Sequence, residues 1–459
     1  MSALITLSII AIVVLYMGLY KTKNALLPVT MLGMTIALVL SLLEWNSNAK
    51  PIYSGMMQFD NFAIAFTVIC IFSTMLILLI SKDYFERISE HVAEYYAIIL
   101  FALVGIVVMV SYNNLSMLFI GIEIMSVSLY ILAGIRKKSY SSNEAALKYF
   151  LMGAFSTGFL LFGITLLYGS TGTFDLILIK NYVLNNPTNI SPLFYSGILL
   201  LIIGLGFKVG VAPFHFWAPD VYEGSPTLIT AFMSTVVKTA GFAAFLRIFL
   251  LCFAPLHDFW MMPLLVITVL TLFIGNITAL YQNSFKRMLG FSSVSHAGYM
   301  MFAIVALGTD SINAVILYAT AYSLASIIAF AALILVKRQM GSDKFESFNG
   351  LGSKNPFMAL NITVAMLSLA GIPLTAGFIG KFLMFSTALS DYHVWLVIMA
   401  VINAIIGIFY YLRVVVAMYF KESDQTVIRS TPLFSMVLAF STIITILLGI
   451  YPGFISNLF

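Results

Sequence analysis

The chain has 459 residues, 61% of them hydrophobic and only 9% charged, with a formal net charge of +5. Soluble domains carry about 25% charged residues, so this composition excludes an attached soluble catalytic or nucleic-acid-binding module and describes a multi-pass, all-α membrane protein. Two cysteines, Cys70 and Cys252, are too few for a four-thiolate cluster, form no C-x-x-C pair, and read as inert buried thiols.

A membrane-spanning helix needs about 20 mainly apolar residues. Fourteen spans are predicted, over 3–20, 25–43, 58–81, 95–112, 115–135, 145–168, 193–217, 225–250, 258–282, 286–308, 311–336, 356–388, 393–419 and 432–452. The first lacks a basic n-region and is followed by Lys21 and Lys23, so it reads as a membrane helix rather than a secretory signal. Positive charge alternates between connections. The odd-numbered ones carry fifteen Lys or Arg, among them Lys21, Lys82, Arg87, Arg136, Lys286, Lys337 and Arg429. The even-numbered ones carry Lys50 and Lys180, with Arg247 at a helix end. The positive-inside rule then places the odd connections in the cytoplasm and both termini on the other side.

Two spans are interrupted by Gly and Pro. In the seventh, Gly204-Leu205-Gly206-Phe207-Lys208-Val209-Gly210 leads to Pro213; in the twelfth, Ala370-Gly371-Ile372-Pro373 leads through Gly377 and Gly380 to Lys381. The spacing predicts two five-helix units of opposite orientation, 95–250 (helices 4–8) and 258–419 (helices 9–13). A three-helix segment, 1–94, precedes them and a last helix, 420–459, follows. Inverted repeats with broken helices mark transporters.

Five ionisable residues lie inside these apolar stretches: Glu123, Lys148, Lys208, Lys238 and Lys381. A charge at mid-membrane costs about 2.5–3.5 kcal/mol, so five would cost on the order of 12–17 kcal/mol if unpaired. The default use of such residues is an ion or proton path. Snorkelling is the bland alternative, but it works only within a turn or two of a helix end. Glu123 is the one acid near mid-membrane and so the natural partner for Lys208. Desolvation disfavours a charged lysine and a nearby carboxylate favours it, so a lysine with a movable acid can load and release a proton. Lys148 lies near a helix start, one turn after Glu144, and such an i,i+4 pair is often only a surface bridge. Arg413 reads as an interfacial anchor. His215, in the polar and aromatic run Val211–Thr227, fits either a proton relay or a structural histidine. His296, in Ser292-Ser293-Val294-Ser295-His296-Ala297-Gly298-Tyr299, is flanked by hydroxyls as a hydrated path would be. Gly204-Leu205-Gly206 follows no strand, so dinucleotide binding is rejected. No cofactor and no metal site is expected in this chain.

The run Phe207-Lys208 through Pro213-Phe214-His215-Phe216-Trp217-Ala218-Pro219-Asp220-Val221-Tyr222-Glu223-Gly224-Ser225-Pro226 resembles the helix 7–8 signature of the antiporter-like membrane subunits of respiratory complex I. The Pro-Asp-Val-Tyr-x-Gly-Ser-Pro form is most similar to the subunit N branch. Subunit M carries a glutamate where this chain has Lys381, and the lateral helix of subunit L is not expected after Phe459. The resemblance implies a proton-translocating subunit of NADH:quinone oxidoreductase, a translocase of the bacterial inner membrane. It implies that Glu123 and Lys208 form the family's glutamate–lysine pair, with Lys238 as the central lysine and Lys381 as the terminal one. It also implies that Lys148 is functional and that His215 and His296 occupy the family's histidine positions. Partner subunits, further antiporter-like ones among them, would carry flavin, iron–sulfur clusters and quinone; lipids would surround the chain, and no nucleic acid would bind. Two rival readings are a subunit of a multi-subunit sodium/proton antiporter and a structural scaffold. Sodium prefers hard oxygen ligands, whereas four lysines against one glutamate repel cations.

Overall fold

The computed structural model describes residues 1–20, 23–47, 50–82, 84–85, 91–187, 189–308, 310–390, 393–422 and 430–456. Lys21, Arg87 and Arg429, counted above among the connection charges, lie outside the described residues. With no water to satisfy backbone groups in a bilayer, an apolar chain must bond them within each segment. The regular elements are accordingly helices, with only isolated β-bridges among the described residues.

The long helices are α1 Ser2–Leu19, α2 Lys23–Leu43, α3 Asn61–Leu79, α4 Val92–Val110, α5 Leu115–Ala133, α6 Tyr140–Thr171, α7 Pro192–Val209, α8 Lys238–Ile248, α9 His257–Leu280, α10 Phe285–Ala306, α11 Ser311–Met340, α12 Pro356–Ala370, α13 Ala376–Ser390, α14 Val394–Phe420 and α15 Pro432–Ile450. Among the described residues twelve helical stretches are long and apolar enough to cross a membrane. One of them, Thr227–Leu280, runs for 54 residues, enough for two spans. It turns at the 3-10 segment Ala254–Leu256, where Pro255 sits in the first turn. α12 and α13 have 15 residues each and are the halves of one interrupted span. Counting the doubled run twice and the interrupted pair once gives the fourteen spans expected. The sixth span is longer than expected, 32 residues against the 24 of 145–168. Two short helices, Leu176–Asn185 and Trp217–Gly224, were not expected as separate elements.

Helix ends follow local chemistry. Asp60, Asn114, Ser139, Asp175, Ser284 and Asn355 each accept a backbone N–H at a helix start. Gly172, Gly341 and Gly371 stop α6, α11 and α12 in the left-handed region.

The chain divides into two units, Met1–Val209 with Gly224–Pro226 and Val236–Pro263, and Gly210–Glu223 with Thr227–Thr235 and Leu264–Phe459. In the first unit α8 packs on α3, α4 and α7, while α5 packs on α4. The α4–α5 contact is close because Gly105 and Gly121 face one another; a Cβ on Gly121 would lie 2.6 Å from the Met109 nitrogen. Arg247 lies in the last turn of α8, at a helix end as expected, and is buried. Its guanidinium pairs with the Asp60 carboxylate at 2.9 Å and donates to the Tyr112 carbonyl at 2.8 Å. In the second unit α11 is the central helix, buried along nearly its whole length and packed by α10, α12, α13 and α15. Both cysteines are buried and unpaired.

Candidate functional site

The first unit holds Glu123, Lys208 and Lys238. Lys208 lies in the last turn of α7, 6% exposed. Its ammonium donates to Ser126 Oγ at 2.9 Å. Ser126 is free to accept because its own hydroxyl proton goes to the Ile122 carbonyl at 2.6 Å. Glu123 lies three residues before Ser126, on the same side of α5. Its carboxylate is the charge that acts on Lys208, and its Oε1 is buried with no hydrogen-bond partner among the described residues. The expected pairing of Glu123 with Lys208 is therefore electrostatic, while the hydrogen bond of Lys208 goes to a serine that sequence reasoning missed. The i,i+3 spacing from Glu123 was the signal that would have found it.

Lys238 is 3% exposed and opens α8. It directly follows a π-helical turn, Met233–Val237, and a second π-helical turn, Phe249–Phe253, follows α8. Such turns recur at functional sites, and no residue type announces them. Lys148 is not brought to these groups. It pairs with Glu144 at 2.8 Å, with side chains 42% and 49% exposed, on an α6 face that also exposes Leu147, Phe150 and Leu151.

The second unit holds His215, His296 and Lys381. His215 is buried in the loop between α7 and the helix Trp217–Gly224, with Nδ1 unpartnered among the described residues. His296, on α10, is bonded at both ring nitrogens. Nδ1 lies 2.7 Å from the Tyr318 hydroxyl and Nε2 lies 2.9 Å from the Tyr411 hydroxyl. Tyr411 also meets Ser292 Oγ at 2.5 Å. A cavity lined by His296, Tyr318, Tyr322, Ser368, Leu369 and Gly377 runs from the histidine to the break between α12 and α13. The hydroxyls bonded to the His296 ring are those of two tyrosines on α11 and α14, which its flanking serines did not announce.

Lys381, 6% exposed, donates to the Leu369 and Ala370 carbonyls, each at 2.9 Å. The reason is local. A helical carbonyl accepts from the N–H four residues on; for Leu369 that residue is Pro373, which has none. Gly371, at φ +85°, turns the chain away and ends the helix. The carbonyls thus left open receive an ammonium from the next half-helix, α13. The Lys381 Nζ also lies 4.7 Å from the centre of the Tyr299 ring. Gly210, at φ +74°, ends α7 in the same way. Lys208 precedes its break, however, and Lys381 follows its own, so the two lysines do not occupy equivalent positions. Among the described residues no group of three or more His, Cys, Asp or Glu is placed to hold a metal ion.

Buried lysines with hydroxyl, carbonyl and carboxylate neighbours can hold and pass protons. Comparison with known proteins agrees. Residues 112–407 match the family model described as NADH:quinone oxidoreductase/Mrp antiporter, TM. The chain is 38% identical over 461 residues to NADH-quinone oxidoreductase subunit N of Flavobacterium psychrophilum, covering 100% of both chains. It is 41% identical over 425 residues to subunit N of Trichlorobacter lovleyi, covering 92% of this chain and 87% of that one. Its fold matches a chain of respiratory complex I from Thermus thermophilus with bound aureothin, with a TM-score of 0.85 and 32% identity, over 99% of this chain and 98% of that one.

Proposed function

This chain belongs to the NADH-quinone oxidoreductase subunit N family, the proton-translocating, antiporter-like membrane subunits of complex I, and from that premise we propose which of its residues carry the proton. It is a multi-pass membrane subunit of a bacterial multi-subunit complex, and its family carries no redox cofactor of its own. Glu123 and Lys208 form the switchable station, Lys238 a second one, and His296 and Lys381 a third. Quinone reduction in partner subunits, which carry flavin and iron–sulfur clusters, supplies the energy. Further antiporter-like subunits and lipids are the neighbours, in the inner membrane, with the odd-numbered connections cytoplasmic.

The observation that carries this reading is Lys208. Its buried ammonium is held by a neutral hydroxyl at 2.9 Å, with Glu123 in electrostatic reach but not bonded to it. An acid that is not locked to its lysine can change its charge or distance, and each change alters how firmly the lysine keeps its proton. His215 fits the same reading through its unpartnered Nδ1. Glu144 and Lys148 support it least, because their pair is half exposed.

The test is proton pumping by the complete complex reconstituted in vesicles. Lys208→Ala and Glu123→Gln should each lower pumping at least about tenfold, by loss of a positioned acid–base group. Full pumping in an assembled Lys208→Ala complex would sink the assignment.

A further inference from the structure

Buried polar groups lie beside Lys381 that its carbonyl seat does not explain. Tyr299, whose ring faces the Lys381 ammonium, is 1% exposed. Its hydroxyl is buried with no hydrogen-bond partner among the described residues. α10 packs on α9 at this level: a Cβ on Gly298 would lie 3.0 Å from Leu272 and one on Gly275 would lie 2.5 Å from the Ser295 nitrogen, which brings Asn276, and Tyr410 bonded to it, to the face of α10 that carries Tyr299. The Asn276 carboxamide, on α9, accepts from the Tyr410 hydroxyl at 2.9 Å and donates to the Leu272 carbonyl at 2.9 Å and to Asn403 Oδ1 at 3.3 Å. Asn403 donates in turn to the Met399 carbonyl at 2.9 Å. Asn276 and Asn403 are 1% and 0% exposed.

Asparagines often act as glue between membrane helices. That accounts for Asn276 and Asn403 but not for Tyr299. A buried hydroxyl without a partner is destabilising, and phenylalanine would give Lys381 a similar ring face without that cost. Gly407 adds a second observation. A Cβ there would meet Asn276 Oδ1 at 3.4 Å and the Tyr410 hydroxyl at 3.5 Å, ordinary contact distances, so the glycine leaves room for a small group beside both. Asn276 is four residues, about 6 Å, from the end of α9 at Leu280. Beyond that end, Arg413 bonds the Gln282 carbonyl at 3.0 Å and Asn283 Oδ1 at 3.2 Å, so polar groups continue outward.

We propose that Tyr299, Tyr410, Asn276 and Asn403 form a proton-carrying branch joining Lys381 to the Leu280 end of α9. This rests on Lys381 holding a proton during turnover. Along the branch, with water between the polar groups, each hydroxyl oxygen accepts one proton and releases another. The Tyr299 hydroxyl takes a proton from the water side and gives its own, through a bridging water, to the neutral Lys381 amine, which becomes an ammonium. Every hydroxyl ends as it began, so no oxidant or reductant is needed. Asn276 and Asn403 are positioning residues that orient Tyr410 and the space beside Gly407.

The experiment compares Tyr299→Phe, Asn276→Leu and Lys381→Ala in the complete reconstituted complex, measuring pumping rate, its ratio in light and heavy water, and assembly. Tyr299→Phe keeps the ring over Lys381 and removes only the hydroxyl. It should assemble normally, lose at least about tenfold in pumping and show a larger solvent isotope effect. Asn276→Leu should do the same; if it fails to assemble, Tyr299→Phe decides alone. Normal pumping in Tyr299→Phe alongside an inactive Lys381→Ala overturns the branch and leaves the lysine reading standing. Full pumping in Lys381→Ala overturns both.

Discussion

Lys208 and Lys381 solve one problem in two ways. Each is a 6% exposed lysine beside a helix that ends at a left-handed glycine. Lys208 is balanced by side chains, the Ser126 hydroxyl and the Glu123 carboxylate. Lys381 is balanced by backbone, two carbonyls that the Pro373 break leaves open. A carboxylate can change its charge during turnover and a carbonyl dipole cannot. The first seat can therefore be switched from outside, whereas the second has a proton affinity built into the fold.

Exchanging the lysine itself breaks the comparison most severely. Lys381→Arg fills the carbonyl seat with a cation that does not release its proton. Pumping should fall at least about tenfold in complexes that still assemble, as read by proton uptake into vesicles. Near-normal pumping would mean that Lys381 only props the break open.

A smaller effect is expected from Gly371→Ala, which leaves every polar group in place. A side chain at φ +85° costs about 1–2 kcal/mol, and its Cβ would lie 2.8 Å from Lys381 Cδ. The thermal stability of the complex should fall by that order and pumping only in part, since Pro373 still denies Leu369 its usual donor. The smallest effect is expected at Lys148→Gln. The exposed i,i+4 pair with Glu144 is worth about 0.3–0.5 kcal/mol, so pumping should change less than twofold. A large loss there would show that the half-exposed pair is a station after all, as the family resemblance implies.

The buried charges themselves were legible as sequence. Glu123, Lys208, Lys238 and Lys381 stand out because charge inside an apolar run is costly and easily seen. The breaks were legible from Gly210 with Pro213 and from Gly371 with Pro373. Their consequences were not. That the Lys381 ammonium would sit on the carbonyls opened by its break, and the Lys208 ammonium on a serine hydroxyl, could not be read from them. Tyr318, Tyr411 and Asn276 carried no mark that set them apart from other polar residues in the membrane, and Ser126 carried only its i,i+3 spacing from Glu123. The π-helical turns around α8 were invisible because they occur in an ordinary apolar sequence.

The sequence by itself determined which runs are long and apolar enough to cross a bilayer, where they are interrupted and which residues bring charge inside. Each of these follows from a local rule: an apolar length, a missing N–H, a solvation cost. Only the tertiary structure decided what each charge rests on. Lys208 meets Ser126 from 82 positions away, and His296 meets Tyr411 from 115 away. Such pairings depend on which helix faces which, and helical periodicity specifies a face without naming its partner.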